Sequence, residues 1–219
     1  MHAFRSLLPA LLVISLAGCV TSPNPKEAPQ LAVLSSSTDL HEKARACQEL
    51  GVFGGRAAVP ALAALLNEEH LSDYARSGLE AIRDPAAGAA LRQALPRLEG
   101  RHLAGAVNSL GVRREKAAVS DLRMLALDNK RGVAAEAVAS LGMIGTADAA
   151  RVLQQVLASG PAELRLPAAH ASIIAAEHLA KVGNPAAART LLDAVVRAVP
   201  SGPVATVAQN QTAALRARR

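Results

Sequence analysis

The phrase Ala106-Val107-Asn108-Ser109-Leu110-Gly111 returns 31 residues later as Ala137-Val138-Ala139-Ser140-Leu141-Gly142. A second apolar segment follows each copy after a polar break: Leu122 with Leu125, then Leu153 with Val156. The register extends both ways. One leucine recurs at Leu50, Leu79, Leu110, Leu141 and Leu179, with steps of 29, 31, 31 and 38. Its companion recurs at Leu62, Leu91, Leu122, Leu153 and Leu191, always 12 residues later. A constant internal offset with a variable external one describes a fixed two-element unit joined by tolerant connections. Self-similarity at such a period is the signature of a solenoid.

The elements are helices. Alanine and leucine dominate, β-branched runs are scarce, and the aromatics are only Phe4, Phe53 and Tyr74. That composition favours helix and gives sheet little support. The expected fold is therefore all-α, an α-α superhelix of about five helix pairs. One pair is too small to bury its own apolar stripe, so neighbouring units must share it. Each buried leucine contributes about 1.5–3 kcal/mol.

Helix starts and stops place the units over residues 38–199. Asp39 with Glu42 forms a capping pair for a helix running to Leu50. A second helix is expected from Ala57 to Asn67, with Pro60 in its first turn. Ser72 caps the next helix, to Ile82, and Asp84-Pro85 opens its partner, through Leu95. Gly111 and Gly142 read as helix terminators. Further helices are expected at Glu115–Leu127, Lys130–Leu141, Thr146–Ala158, Ala168–Lys181 and from Asn184-Pro185 to Val199. Residues 200–219 read as a breaker, a capping helix from Val204 to Leu215, and a basic tail.

The N-terminal residues have another character. Arg5 precedes a short apolar run, Leu7 to Leu16, with signal-peptide proportions. Leu16-Ala17-Gly18-Cys19 follows, and it resembles the lipobox of bacterial lipoproteins. The resemblance implies residues 1–18 as a lipoprotein signal peptide, with cleavage before Cys19 and acyl chains, palmitate among them, on that residue. Each buried lipid methylene contributes about 0.8 kcal/mol, so several chains anchor firmly. Val20, where inner-membrane retention would place an aspartate, implies the outer membrane, facing the periplasm. Residues 19–37, with Pro23, Pro25 and Pro29, are expected to be a flexible, extended tether. Cys47 then has no disulfide partner and reads as a small buried apolar residue.

Units of this size, each with a helix ending in Leu-Gly and a second helix after Asn/Asp-Pro or Ala-Ala, resemble HEAT repeats. They are most similar to the short bacterial HEAT-like type first recognised in phycobilisome lyases. Ala176-Glu177-His178-Leu179 with Ala186-Ala187-Ala188 resembles a tetratricopeptide pattern, but no consistent period supports that along the chain.

Catalytic signals are weak. A HEAT-repeat iron hydroxylase places His-Glu pairs in several repeats; here His41-Glu42 alone has that order at a helix start, and Glu69-His70 and Glu177-His178 are reversed. Solvated polar residues at helix ends are the better reading. His102 and His170 sit among apolar neighbours without ligand spacing and are expected to pack in the core or at its edge. Ser109 and Ser140 share one repeat position and read as structural. Gly54-Gly55 and Gly142 with Gly145 lack the strand context of a phosphate loop. No catalytic residue, cofactor, metal or small-molecule substrate is expected.

The net charge of +6 favours anionic partners without choosing among them. Arg92 and Arg123 directly follow the second-helix leucine, and Arg151 and Arg189 precede it by two. Second helices line the concave face in HEAT-like arrays, so these four are the candidate partner-binding residues. Nucleic acid is disfavoured, because base-holding aromatics are lacking. The sequence thus points to a lipid-anchored envelope scaffold or adaptor that binds a protein through its solenoid surface. The alternatives are a HEAT-like lyase or metal-dependent hydroxylase, and a module of a larger envelope complex.

Overall fold

The computed structural model describes residues 24–217. Among them are twelve α-helices and no strand. In chain order the helices are α1 (Glu27–Ser36), α2 (Leu40–Phe53), α3 (Val59–Ala64), α4 (Ser72–Ala81), α5 (Pro85–Ala94) and α6 (Gly100–Val112), followed by α7 (Val119–Leu127), α8 (Ala134–Ile144), α9 (Ala147–Ser159), α10 (Arg165–Lys181), α11 (Pro185–Ala198) and α12 (Pro203–Ala217). The first helices of the five units, α2, α4, α6, α8 and α10, stack in one continuous row. The second helices, α3, α5, α7, α9 and α11, form the other. The fold is the expected all-α solenoid.

All ten register leucines lie in the shared core, none more than 2% exposed. On α6 and α8 a glycine directly follows the register leucine and lets the next first helix approach. Gly142 shows why. A Cβ there would stand 2.8 Å from the Ala171 backbone of α10, and one on Gly111 would stand 2.8 Å from the Ser140 Cα of α8. Both glycines lie inside their helices, so they are close-contact residues and not the terminators the Leu-Gly pattern suggested. Three residues further on, Gly145 ends α8 at φ 60°.

Caps follow the side-chain chemistry. Asp39 Oδ1 accepts from the amides of His41 (2.7 Å) and Glu42 (3.3 Å) at the start of α2. Glu42 closes the box indirectly, accepting from the Ser37 hydroxyl at 2.6 Å while Ser37 Oγ accepts from the Asp39 amide. Asp84, Thr146 and Asn184 accept from the opening amides of α5, α9 and α11. Ser72 does not cap: it is the first residue of α4, and its buried hydroxyl has no hydrogen-bond partner.

Helix bounds differ from expectation where turn chemistry intervenes. A 3-10 turn at Asn129–Arg131 and Gly132 at φ 66° delay α8 to Ala134. Pro167 does not delay α10, because a proline in the first turn removes an amide that needs no intrahelical partner.

The largest departure is α1. Residues 24–36 do not form the extended tether the prolines suggested. Pro29 again falls in a first turn, and Leu34 is buried with Leu31 and Val33 against the core. Buried Glu27 accepts from the Gly55 amide, and Asn24 Nδ2 donates to the Phe53 carbonyl at 3.2 Å. So α1 closes the first end of the array on α2, as α12 closes the other on α10 and α11.

Candidate functional site

The two rows are not equally continuous. First helices pack closely at every step. Among second helices, α3 meets α5, α7 meets α9 and α9 meets α11, but α5 and α7 do not pack closely. A groove of about 510 Å³ opens between them. Leu95, Leu125 and Leu127 supply apolar walls, and Met124 stands 68% exposed at its edge. Arg92, Asp121, Arg123 and Asp128 supply charge.

The structure places three of the four candidate arginines together. Arg92 on α5 spans the gap, its Nε 2.7 Å from Asp121 Oδ2 on α7, with both side chains about one-third exposed. Arg123 is exposed, donating to Gln155 Oε1 on α9 at 3.2 Å. It also lines the next groove, with Lys116, Asp148 and Arg151. Arg151 is exposed and paired with Asp148 in the first turn of its own helix. Arg189, on α11, lines neither groove and forms no ion pair among the described residues. The stripe is therefore Arg92, Arg123 and Arg151, with Arg189 separate. Within that stripe only Arg123 forms no ion pair with a carboxylate among the described residues.

Other arginines do work the sequence left unread. Arg113 Nη1 donates to the carbonyls of Leu79 (2.7 Å), Glu80 (3.0 Å) and Ile82, and Nη2 reaches Asp84 O at 3.2 Å. It satisfies the open C-terminal end of α4 from the following unit. Arg131 does the same for the carbonyls of Leu95 (3.1 Å) and Leu98 (2.6 Å), and Arg101 for Glu69. An arginine shortly past the end of a helix, 29–36 residues beyond a run of carbonyls, is the signal that finds Arg113 and Arg131. Ser109 and Ser140 are structural as read: Ser109 joins Arg76 to Glu80, and Ser140 donates to Val107 O at 2.9 Å.

The remaining candidates are dispersed. Among the described residues no three His, Cys, Asp or Glu side chains gather to hold a metal ion. His41, Glu42, Glu69 and His70 are exposed at helix ends. His170 is exposed and not in the core, whereas His102 is half-buried beside Asn67 Oδ1 at 3.3 Å. Cys47 is fully buried, and burial pushes its thiol up to about 11, above the ordinary 9.0. Cys19 lies outside the described residues. Among the described residues no helix is long and apolar enough to cross a membrane.

The family described as HEAT repeats matches residues 88–173, from within α5 into α10. No curated protein matches the chain.

Proposed function

With HEAT repeats over residues 88–173 as the premise, we propose that this protein is a lipid-anchored scaffold of the bacterial envelope that holds a protein partner on its second-helix face. The observation that carries the binding half is the break in the second-helix row. It exposes an apolar groove beside a guanidinium that pairs with no carboxylate among the described residues, Arg123, and a flexible, polarisable side chain, Met124. Arginine and buried apolar anchors supply most binding energy at protein interfaces, and methionine adapts to irregular partners. The net charge of +6 favours an acidic partner. The protein works by holding its partner and not by catalysing a reaction.

The anchoring half rests on Leu16-Ala17-Gly18-Cys19. Acyl chains on Cys19 keep the solenoid at the membrane, in the outer membrane facing the periplasm, and raise its local concentration near a partner there. The phycobilisome-lyase type of HEAT repeat describes the unit length, not an activity.

A photo-crosslinking residue at Met124, installed in cells, tests the binding face. A discrete adduct is expected, lost when Arg123 is changed to Glu. An equal adduct from Val52, exposed on α2, would remove the groove from the account. Cys19→Ala tests the anchor: the protein is expected to move from the membrane to the soluble fraction, and an unchanged distribution counts against lipidation.

A further inference from the structure

A second charged patch lies on the links between first and second helices, away from the α5–α7 groove. Arg114 sits there at φ 51°, the one non-glycine residue at positive φ among those described. It occupies the position four past the register leucine, where the next two units have Gly145 at φ 60° and Gly183 at φ 82°. The backbone is the same: the Glu115 amide donates to Leu110 O at 2.9 Å, as the Asn184 amide does to Leu179 O at 2.8 Å. An arginine thus stands at a site shaped for glycine.

Its side chain crosses a whole unit. Arg114 Nη1 lies 2.8 Å from His178 Nδ1 on α10, 64 residues away. The crossing is possible because the intervening unit offers Gly145, whose absent Cβ would lie 3.0 Å from the His178 Cβ. Guanidinium only donates, so Nδ1 accepts and the ring is neutral with its proton on Nε2. Burial, then the charges of Arg114, Lys181 and Lys116, hold the His178 pKa below the ordinary 6.5.

Among the described residues no carboxylate is ion-paired with the cations of this cluster, Arg114, Lys116 and Lys181. Glu115, between two of them, turns away to the Ala117 amide and against Gly88 of α5. Glu177, beside His178, accepts from Gln211 of α12 at 2.8 Å. Asp148, on α9, is paired with Arg151. The α8–α9 link contributes uncharged Gly145 and Thr146, and α11 opens with uncharged Asn184.

We propose that Arg114, Lys116, His178 and Lys181 form a binding site for a phosphate-class oxyanion. Three fixed cations and a ring that becomes a fourth match a dianion with three or four acceptor oxygens better than a single carboxylate. On binding, Arg114 leaves Nδ1 for the anion, and His178 takes up a proton and donates to it. The same chemistry is offered by free phosphate and by a phosphomonoester lipid headgroup.

The test follows the His178 ring by NMR in the purified full chain, assigned with His178→Gln, in inorganic phosphate and in sodium chloride at matched ionic strength. The expected result is a higher His178 titration midpoint in phosphate only, and at least roughly tenfold weaker phosphate binding by calorimetry in Arg114→Gly. That variant relaxes the backbone, so loss of binding is not loss of fold. An unchanged midpoint, undiminished binding in Arg114→Gly, or tighter binding of a polyglutamate peptide than of phosphate overturns the proposal. Vesicles identify the source, using chain that carries Cys19→Ala. Recruitment to phosphatidic acid but not phosphatidylcholine, lost in Arg114→Gly, assigns the headgroup; a phosphate response without recruitment assigns the free anion.

Discussion

Single residues in this chain carry more than their type announces. Arg114 holds a left-handed backbone that costs an ordinary residue roughly 1 kcal/mol or more. Arg114→Gly is therefore expected to raise stability by about 1 kcal/mol, read as a higher urea midpoint with an unchanged slope. His178 and Cys47 give opposite pH dependences. The His178 pKa is depressed on folding, so the unfolded chain binds the proton more readily below the ordinary 6.5, and stability falls as pH drops through that value. His178→Gln is expected to flatten that acid limb in urea melts. The Cys47 thiol is raised, so its contribution is complete below the ordinary 9.0 and is lost as pH rises toward about 11. Cys47→Ala is expected to remove this alkaline loss. What sequence showed at this scale was residue type plus register: Ser109 and Ser140 read as structural and Cys47 as a small buried residue, and all three are buried. The roles of Arg113 and Arg114 depend on what lies one or two units away in space, which their neighbours in sequence do not reveal.

At the scale of elements, each first helix is fitted to the next through absent side chains and borrowed hydrogen bonds. Gly142→Val places methyl groups where the Ala171 backbone stands 2.8 Å from a bare Cβ. The expected loss is about 3 kcal/mol, at the upper end of overpacking, because the obstacle is backbone and cannot rotate aside. Calorimetric melting measures it. Arg113→Ala leaves the C-terminal carbonyls of α4 without their charged donor, and a loss of about 2–3 kcal/mol is expected by urea denaturation. Arg113→Lys is expected to recover only part of it, since one ammonium cannot span four carbonyls. The sequence was most legible here where polar caps and prolines agree, as at Asp84-Pro85 and Asn184-Pro185. It misled where a single residue type serves two ends. Proline breaks a helix interior but suits a first turn, so Pro29 sits in α1 and Pro167 in α10. Glycine ends helices but also admits a neighbour, so Leu-Gly marked contact and not termination.

For the whole molecule, the period of the leucines was enough to give the class, the number of units and both apolar rows, because burial obliges every unit to repeat the same stripe. It did not give the uneven spacing of the second row, since the leucine offset stays constant across the break between α5 and α7. Nor did it give α1, whose cohesion comes from Glu27 meeting an amide beyond α2. The gap between α5 and α7 divides the array mechanically. On one side of it the helices α4, α6 and α8 form an unbroken spine. On the other, the leaves are tied by the Arg92–Asp121 bridge and by Arg131, which reaches back to the Leu95 and Leu98 carbonyls. The packing between second helices is thinnest here, so any bending of the array about that spine would open or close this fold first, like a book. A partner seated in the groove would then set the curvature of both halves at once, coupling one end of the protein to the other through a single crease.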